Sequence, residues 1–361
     1  MEITENIKLA PYTTFKIGGS ARFFCTVKDQ FDALEAFEFA NKRNLDVFVL
    51  GGGSNLLISD EGFNGLVARV ENKGIEILHE DDSSVVLKIA SGEKWDEVVK
   101  FAVKNNWWGI ENLSHIPGGT GAIAVQNVGA YGQEAKHIIK SVTVFDKETH
   151  QILELKNEQC RFGYRLSIFN TCDKGKYIIF YITLKLSKTA KQILSYRDLQ
   201  DRFPNKNPTI DDIRKAVIEI RNKKYTFPTQ AKNGNAGSFF KNPILNKSAF
   251  EKLKAIVAQN FGQEKALLLD KKKFDEEGKS KIPAAFLVEI SGLKDLQQGG
   301  AAINSNQPLV IINKTGKASA TDVLNLAKKV IKTVYEKTSI KLSIEPELIG
   351  FSEKELNGIM N

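Results

Sequence analysis

Two glycine-rich stretches carry the clearest chemical signal in this chain. The strand-like run Phe48, Val49, Leu50 leads directly into Gly51, Gly52, Gly53, Ser54 and Asn55, and the apolar Leu56 and Leu57 follow. Successive glycines let a backbone reach dihedrals closed to other residues and aim several N–H groups at one anion, so the run reads as a diphosphate cradle. A P-loop lysine is absent, and a strand is expected after the glycines instead of the helix that a dinucleotide fingerprint requires. Taken alone, the triplet also reads as a tight turn. The second stretch, Ile116 to Gly132, interleaves Pro117, Gly118, Gly119, Gly121, Ala122, Gly129 and Ala130 with the amides Gln126 and Asn127 and the ring of Tyr131. Small residues admit a large planar group close to the backbone, and Gln and Asn can hydrogen-bond its heteroatoms. The alternative is an Ω-loop that merely packs.

The surrounding pattern predicts the elements that must position these loops. Phe31, Leu34, Phe37 and Ala40 recur at helical spacing after a capping Asp29, and Val47 to Leu50 reads as a buried strand. A second alternation follows, with strand-like Val85, Leu87 and Ile89 and then a helix bearing Trp95, Val98, Val99, Ala102 and Val103 on one stripe. From Ser141 to about Ser187 the chain turns β-rich, with Val142, Val144 and Phe145 before a turn and Tyr177 to Leu186 strongly strand-forming. Thr209 and Asp212 form an acidic capping box ahead of Ile213, Ala216, Val217 and Ile220. The last part of the chain reads as a separate α+β unit with a helix from about Ser319 to Glu336, its Val323, Ala327, Val330 and Val334 on one face.

At 361 residues two or three domains are expected. The composition, 42% hydrophobic and 26% charged, is that of a soluble folded protein and leaves no room for long disorder or a fibrous repeat. The formal charge of +8 is spread thinly: Lys271, Lys272 and Lys273, and Lys223 with Lys224, are short runs beside acids, unlike a nucleic-acid stripe. Cys25, Cys160 and Cys172 have no paired spacing, and His79, His115, His137 and His150 are scattered, so neither a disulfide framework nor a metal site is expected. Neither a secretion signal nor an apolar run of membrane-spanning length is read, and the cytoplasm is the expected location.

At the two glycine stretches the chain resembles the UDP-N-acetylenolpyruvoylglucosamine reductase family. Pro11, Tyr12, Thr13, Thr14, Phe15, Lys16, Ile17, Gly18, Gly19 resembles that family's opening, Gly51 to Leu57 its flavin diphosphate loop, and Ile116 to Gly132 its isoalloxazine-side segment. The resemblance continues through Arg161 to Arg165 and Asn235 to Pro243 and ends at Ile344, Glu345, Pro346, Glu347, so it spans nearly the whole chain. It implies an α+β fold: a two-part FAD-binding domain of the vanillyl-alcohol-oxidase/PCMH type, followed by a separate α+β substrate-binding domain. The expected parts are 1–69 and 70–220 for flavin and 221–343 for substrate, with 344–361 packing back on the first.

The resemblance further implies FAD as a hydride relay, NADPH as co-substrate and the enolpyruvyl ether of UDP-N-acetylglucosamine as substrate, in a protein expected to be a monomer. Cofactor contacts are expected from Gly51, Gly52, Gly53, Ser54, Asn55, Pro117, Gly118, Gly121, Ala122, Gln126, Asn127, Gly129 and Ala130. Arg165 matches the family's arginine, whose planar fork suits a carboxylate. Ser238 corresponds to the proton donor, and Glu347 to the glutamate that, protonated or hydrogen-bonded, shares in stabilising an enolate. Glu345 would face the same side of an extended segment, so only the motif separates the two acids. Tyr131, Tyr164, Tyr196, Lys224, Asn242 and Gln297 fall where substrate contacts are expected, and Leu194 to Leu199 resembles the lid segment of the longer subtype. The pattern departs at Tyr225, Thr226, Phe227 and Pro228, where many relatives carry Leu-Pro-Asp-Pro, and at Leu348, where valine is common. Two other readings compete: an alcohol-oxidising flavoenzyme of the same architecture, which would not need the carboxy-terminal motifs, and a colourless nucleic-acid-binding protein.

Overall fold

The computed structural model describes residues 1–204, 207–224, 233–357 and 359. The departure at 225–228 therefore lies outside the described residues. The chain divides into two units: Met1–Ile7, Ala21–Gly53 and Phe63–Phe227 form the first, and Lys8–Ser20, Ser54–Gly62 and Pro228–Asn361 the second.

Among the described residues the first unit contains two large sheets and one small hairpin. In one, the strands run in the order Ile3–Lys8, Ser20–Val27, Phe63–Val70, Val47–Leu50, and Phe63–Val70 pairs in parallel with both of its neighbours. Parallel pairing requires a crossover, which the helix Gln30–Lys42 supplies. Asp29 caps that helix by accepting from the amides of Phe31 and Asp32, as the sequence predicts. The buried stripe, however, is Ala33, Ala36, Phe37 and Ala40, while Phe31 is 71% exposed. Once Asp29 fixes the first turn, residue 31 lies about 200° around the helix from residue 33 and faces water.

The other sheet is wholly antiparallel, in the order Gln151–Lys156, Ile139–Asp146, Tyr177–Ser187, Ser84–Ala90, Ile75–Glu80. Its core includes the expected stripe Trp95, Val98, Val99, Ala102 and Val103 of the helix Trp95–Lys104. Buried Trp95 donates its indole N–H to the Leu113 carbonyl, locking the short 3-10 turn Glu111–Leu113 onto that helix. The helix Ile210–Lys224 begins at the predicted box, Thr209 and Asp212 each accepting the other's amide. Buried Arg214 on it grips Asp96 bidentately at 2.7 and 3.0 Å. Asp96 also receives the His115 amide at 2.6 Å, and Arg221 Nε donates to the His115 carbonyl. Burial works to raise the Asp96 carboxyl, but the Arg214 and His115 hydrogen bonds hold it below the ordinary carboxylate range. These bonds fix the last helical residue, Lys224, relative to the run entering Ile116.

In the second unit Phe15, Ile17 and Leu57 join a core with Phe239, Phe240 and the helix Ala320–Thr338, whose Val323, Ala327, Val330 and Val334 are buried as predicted. The carboxy-terminal strand Glu347–Ile349 pairs in parallel with Leu56–Ile58, the strand expected after the glycine run. Burial pushes the thiols of Cys25 and Cys160 up to about 12, so both are inert at neutral pH. Among the described residues no helix is long and apolar enough to cross a membrane, and no cluster of His, Cys, Asp and Glu could hold a metal.

Ser319 and Asp322 cap the helix Ala320–Thr338 reciprocally, and Asp60, 260 residues upstream, accepts from the amides of Ala320 and Thr321 and from the Thr321 hydroxyl. Asp60→Ala should therefore lower the unfolding free energy by about 1 kcal/mol, read as a shifted urea midpoint at unchanged m-value.

Candidate functional site

The two glycine stretches meet backbone to backbone inside the first unit. A Cβ on Gly52 would lie 2.5 Å from the Gly119 nitrogen and 2.6 Å from the Gly118 Cα, so only glycine fits there. The 117–122 turn is braced from beneath: Gly118 accepts from the Trp95 amide, Thr120 donates its amide and hydroxyl to the Glu93 carbonyl, and the Gly121 amide donates to Ser91. Exposed Gly51 faces open space, where a side chain would meet only the Ala122 Cβ at 3.9 Å. Among the described residues, the turn and loop hydrogen bonds use neither the Gly52 nor the Gly53 amide. Ala122–Val125 forms one helical turn ending at Gln126.

Asn127 behaves differently from a cofactor-facing amide. Its side chain is fully buried, donates to Glu134 and the Gly163 carbonyl, and accepts from the Lys136 amide, so it pins the loop from inside. Gly129 and Ala130 pair with Glu134 and Gln133 in a hairpin whose two-residue tip, Tyr131 and Gly132, has φ of 50° and 85°. Both positive values match the turn type that suits strand twist.

A second small hairpin, closed by reciprocal bonds between Gly163 and Leu166, carries Tyr164 and Arg165 at its tip. Arg165, with φ 57°, donates from Nη2 to the Gly129 carbonyl at 3.1 Å and lies over the Tyr164 ring. The Tyr131 ring meets the Tyr196 ring edge to face at 5.2 Å. Lys224 Nζ lies 5.5 and 6.0 Å from those two ring centres and 2.7 Å from Asp198 Oδ2. Burial, with the Asp198 carboxylate adding to it, raises the Tyr196 phenol above its ordinary value. The structure thus assembles Gly129, Tyr131, Arg165, Tyr196 and Lys224 in one neighbourhood.

In the second unit the Gly237 amide donates to the Asn235 side chain, and the Phe239 amide to Leu309. The run 239–241 pairs antiparallel with 343–345 through the Phe239–Glu345, Phe240–Ile344 and Lys241–Ser343 contacts. Half-buried Ser238 immediately precedes this paired run, and Glu347 follows two residues after its partner segment. Asn55 braces the acid-bearing strand, its carbonyl accepting from the Glu347 amide and its side chain donating to the Glu345 carbonyl. Ser54 lies beside it in this unit. Asn242 caps the helix Ala284–Ile290 through the Ala284 amide. Gln297 is exposed in a hairpin, held by Gly299 and Lys314.

Two participants were invisible in the sequence. Asp198, the partner of Lys224, lies 26 residues from it, and Asn112 binds backbone 19 and 81 residues away. Neither belongs to a periodic stripe, although the polar pair Glu111 and Asn112 between apolar neighbours was the available signal.

The family model for the C-terminal domain of UDP-N-acetylenolpyruvoylglucosamine reductase matches residues 228–349, and that for an FAD binding domain matches residues 21–156. Over 97% of this chain and all of its own length, the UDP-N-acetylenolpyruvoylglucosamine reductase of Flavobacterium johnsoniae is 38% identical. That of Shewanella sediminis is 36% identical over 99% of each chain. The crystal structure of the Thermus caldophilus enzyme is similar in fold, with TM-score 0.65 and 24% identity over 96% of this chain and 98% of that one. The residues present fit FAD: the Gly52 and Gly53 amides suit a diphosphate, and half-buried Gly118, without a side chain, lets a ring approach the backbone, whereas the place of a Gly121 side chain is filled by Ser91.

Gly52→Ala should therefore weaken FAD binding by on the order of tenfold or more, about 1.4 kcal/mol, seen as lost visible absorbance of the purified protein at unchanged circular dichroism. Glu111, 1% exposed, is also diagnostic: burial raises its carboxyl above the ordinary value, against the Gly109 amide that it accepts. Folded protein holds this proton more tightly than unfolded chain, so its contribution is full below the unfolded value and fades as pH rises through the folded one. Glu111→Gln should gain stability on wild type as pH rises from the glutamate range to neutrality, measured by urea titration at several pH values.

Proposed function

Because the chain belongs to the UDP-N-acetylenolpyruvoylglucosamine reductase family, we propose that it uses NADPH to reduce UDP-N-acetylglucosamine enolpyruvate to UDP-N-acetylmuramate, a step of peptidoglycan precursor synthesis. When bound, FAD supplies the hydride relay between NADPH and the enolpyruvyl methylene. In this reading residues 1–69 and 70–220 serve the cofactor and 221–343 the substrate. The protein works as a cytoplasmic monomer and takes no nucleic acid.

The observation that carries the reading is the pairing of the Ser238 run with the Glu345 segment. It sets a hydroxyl and carboxylates on one braced framework in the second unit. Ser238 donates a proton to the carbanion carbon left after hydride addition, and Glu347 stabilises the enolate from which that carbon is protonated. Arg165 takes the substrate carboxylate with its guanidinium fork, Tyr164 stacking beneath it. Tyr131, Tyr196 and Lys224 offer two ring faces and a point charge, a set suited to a nucleotide diphosphate, with Tyr196 on the lid segment of the longer subtype. Asn242 and Gln297 add amide contacts to the sugar nucleotide.

The test is spectroscopic. Purified protein should be yellow, bleach with NADPH under anaerobic conditions and recolour with the enolpyruvyl UDP-sugar. Bleaching without recolouring would refute the substrate, and a colourless protein would refute the flavoenzyme. Ser238→Ala should leave NADPH bleaching as in wild type and slow recolouring by on the order of 10²- to 10³-fold. Arg165→Lys should lose on the order of 10²-fold in kcat/KM for the UDP-sugar.

A further inference from the structure

Asn112 lies in the core of the first unit, 1% exposed, on the 3-10 turn that Trp95 locks to its helix. Both hydrogens of its amide are used. One goes to the carbonyl of Tyr131 at 2.7 Å, the other to the carbonyl of Ile193 at 2.8 Å. The first acceptor belongs to the strained tip residue whose ring meets Tyr196, and the second lies three residues before Tyr196 itself. Among the described residues its own buried Oδ1 has no hydrogen-bond partner, so its two donors are what tie it to its surroundings. Residues 189–196 form neither helix nor strand. Their approach to the hairpin is close: a Cβ on Gly132 would lie 3.0 Å from both the Ile193 Cγ2 and the Ser195 Oγ.

We propose that Asn112 is a positioning residue for substrate binding, a buried clasp that holds the Tyr196 segment against the Tyr131 hairpin and so presets the aromatic pair that receives the UDP-sugar. The proposal rests on the assignment of Tyr131 and Tyr196 to that substrate. Without the clasp the buried Tyr131 carbonyl and the half-buried Ile193 carbonyl lose this donor, the segment is free to swing away, and every binding event must first re-form the ring pair. Because Asn112 acts through the tyrosines and touches no reacting atom, its loss raises KM and leaves the chemical step nearly intact.

The experiment compares Asn112→Leu, Gly132→Ala and Tyr196→Ala, each as FAD-loaded protein. Asn112→Leu removes both donors at similar volume. Gly132→Ala pries the same two segments apart by an independent route, and it decides the matter if the leucine variant does not fold. Both should raise KM for the enolpyruvyl UDP-sugar by on the order of tenfold, keep kcat within about twofold, and accelerate trypsin cleavage after Lys191 and Arg197 with unchanged cleavage elsewhere. Tyr196→Ala should raise KM by at least as much. If Tyr196→Ala raises KM while both clasp variants bind as wild type, the clasp is overturned and the substrate assignment stands. If Tyr196→Ala leaves KM unchanged, the assignment fails and takes the clasp with it. A fall in kcat with KM unchanged would also overturn the proposal.

Discussion

The first unit depends on a contact that only two backbones can make. Gly52, just after the strand Val47–Leu50, lies against Gly118 and Gly119, which come after the helix Trp95–Lys104 and the turn Glu111–Leu113. The distances leave no room for a methyl group on Gly52. Close packing would normally resist such a demand by shifting both chains, but here each turn is anchored behind the contact. Gly119 is backed by the loop at Ser91 to Trp95, and Leu50 by its pairing with Arg69. The turn held in this way carries the Gly52 and Gly53 amides that suit an anion.

Around that contact the loops are shaped by side chains that bond backbone groups. A loop with few turns of its own must still satisfy its buried N–H and C=O groups, and Asn127, Asn112, Gln133 and Asp96 do so here, each bridging segments distant in sequence. Each such bond contributes on the order of 1 kcal/mol net, but breaking one strands a buried polar group at greater cost. Specific loop geometry is thus over-determined, while the hydrophobic stripes beneath it could tolerate exchange of similar volumes.

This division explains what the sequence made legible. Helices with a cap and a stripe, such as Gln30–Lys42, Ile210–Lys224 and Ala320–Thr338, were readable because both signals are local. Phe31 was misplaced because spacing alone does not choose between faces once a cap has set the turn. The edge strand Ile75–Glu80 is exposed along its whole length despite its isoleucines, so period alone misstates its environment. The motif Pro11–Gly19 was legible only by resemblance, and nothing local revealed that it would fold with the second unit, where Thr14 bonds Asn235 and Phe15 enters the core. The pairing of the run after Ser238 with residues 343–345 was likewise beyond periodicity, since it joins residues more than a hundred apart.

Strain supplies an independent pointer to where function sits in the first unit. Tyr131 and Arg165 occupy positive-φ positions at the tips of two short hairpins, places where glycine is the usual occupant. A bulky residue persists in such a conformation only where its surroundings enforce it. The enforcement is visible: Asn112 holds the Tyr131 carbonyl, Asn170 the Arg165 carbonyl, and Arg165 itself bonds Gly129 on the Tyr131 hairpin. Two strained tips tied to one another serve folding poorly, since glycine at either would relieve the cost. They serve a site well, because the same constraint holds the Arg165 guanidinium over the Tyr164 ring and the Tyr131 ring against Tyr196 before any ligand arrives.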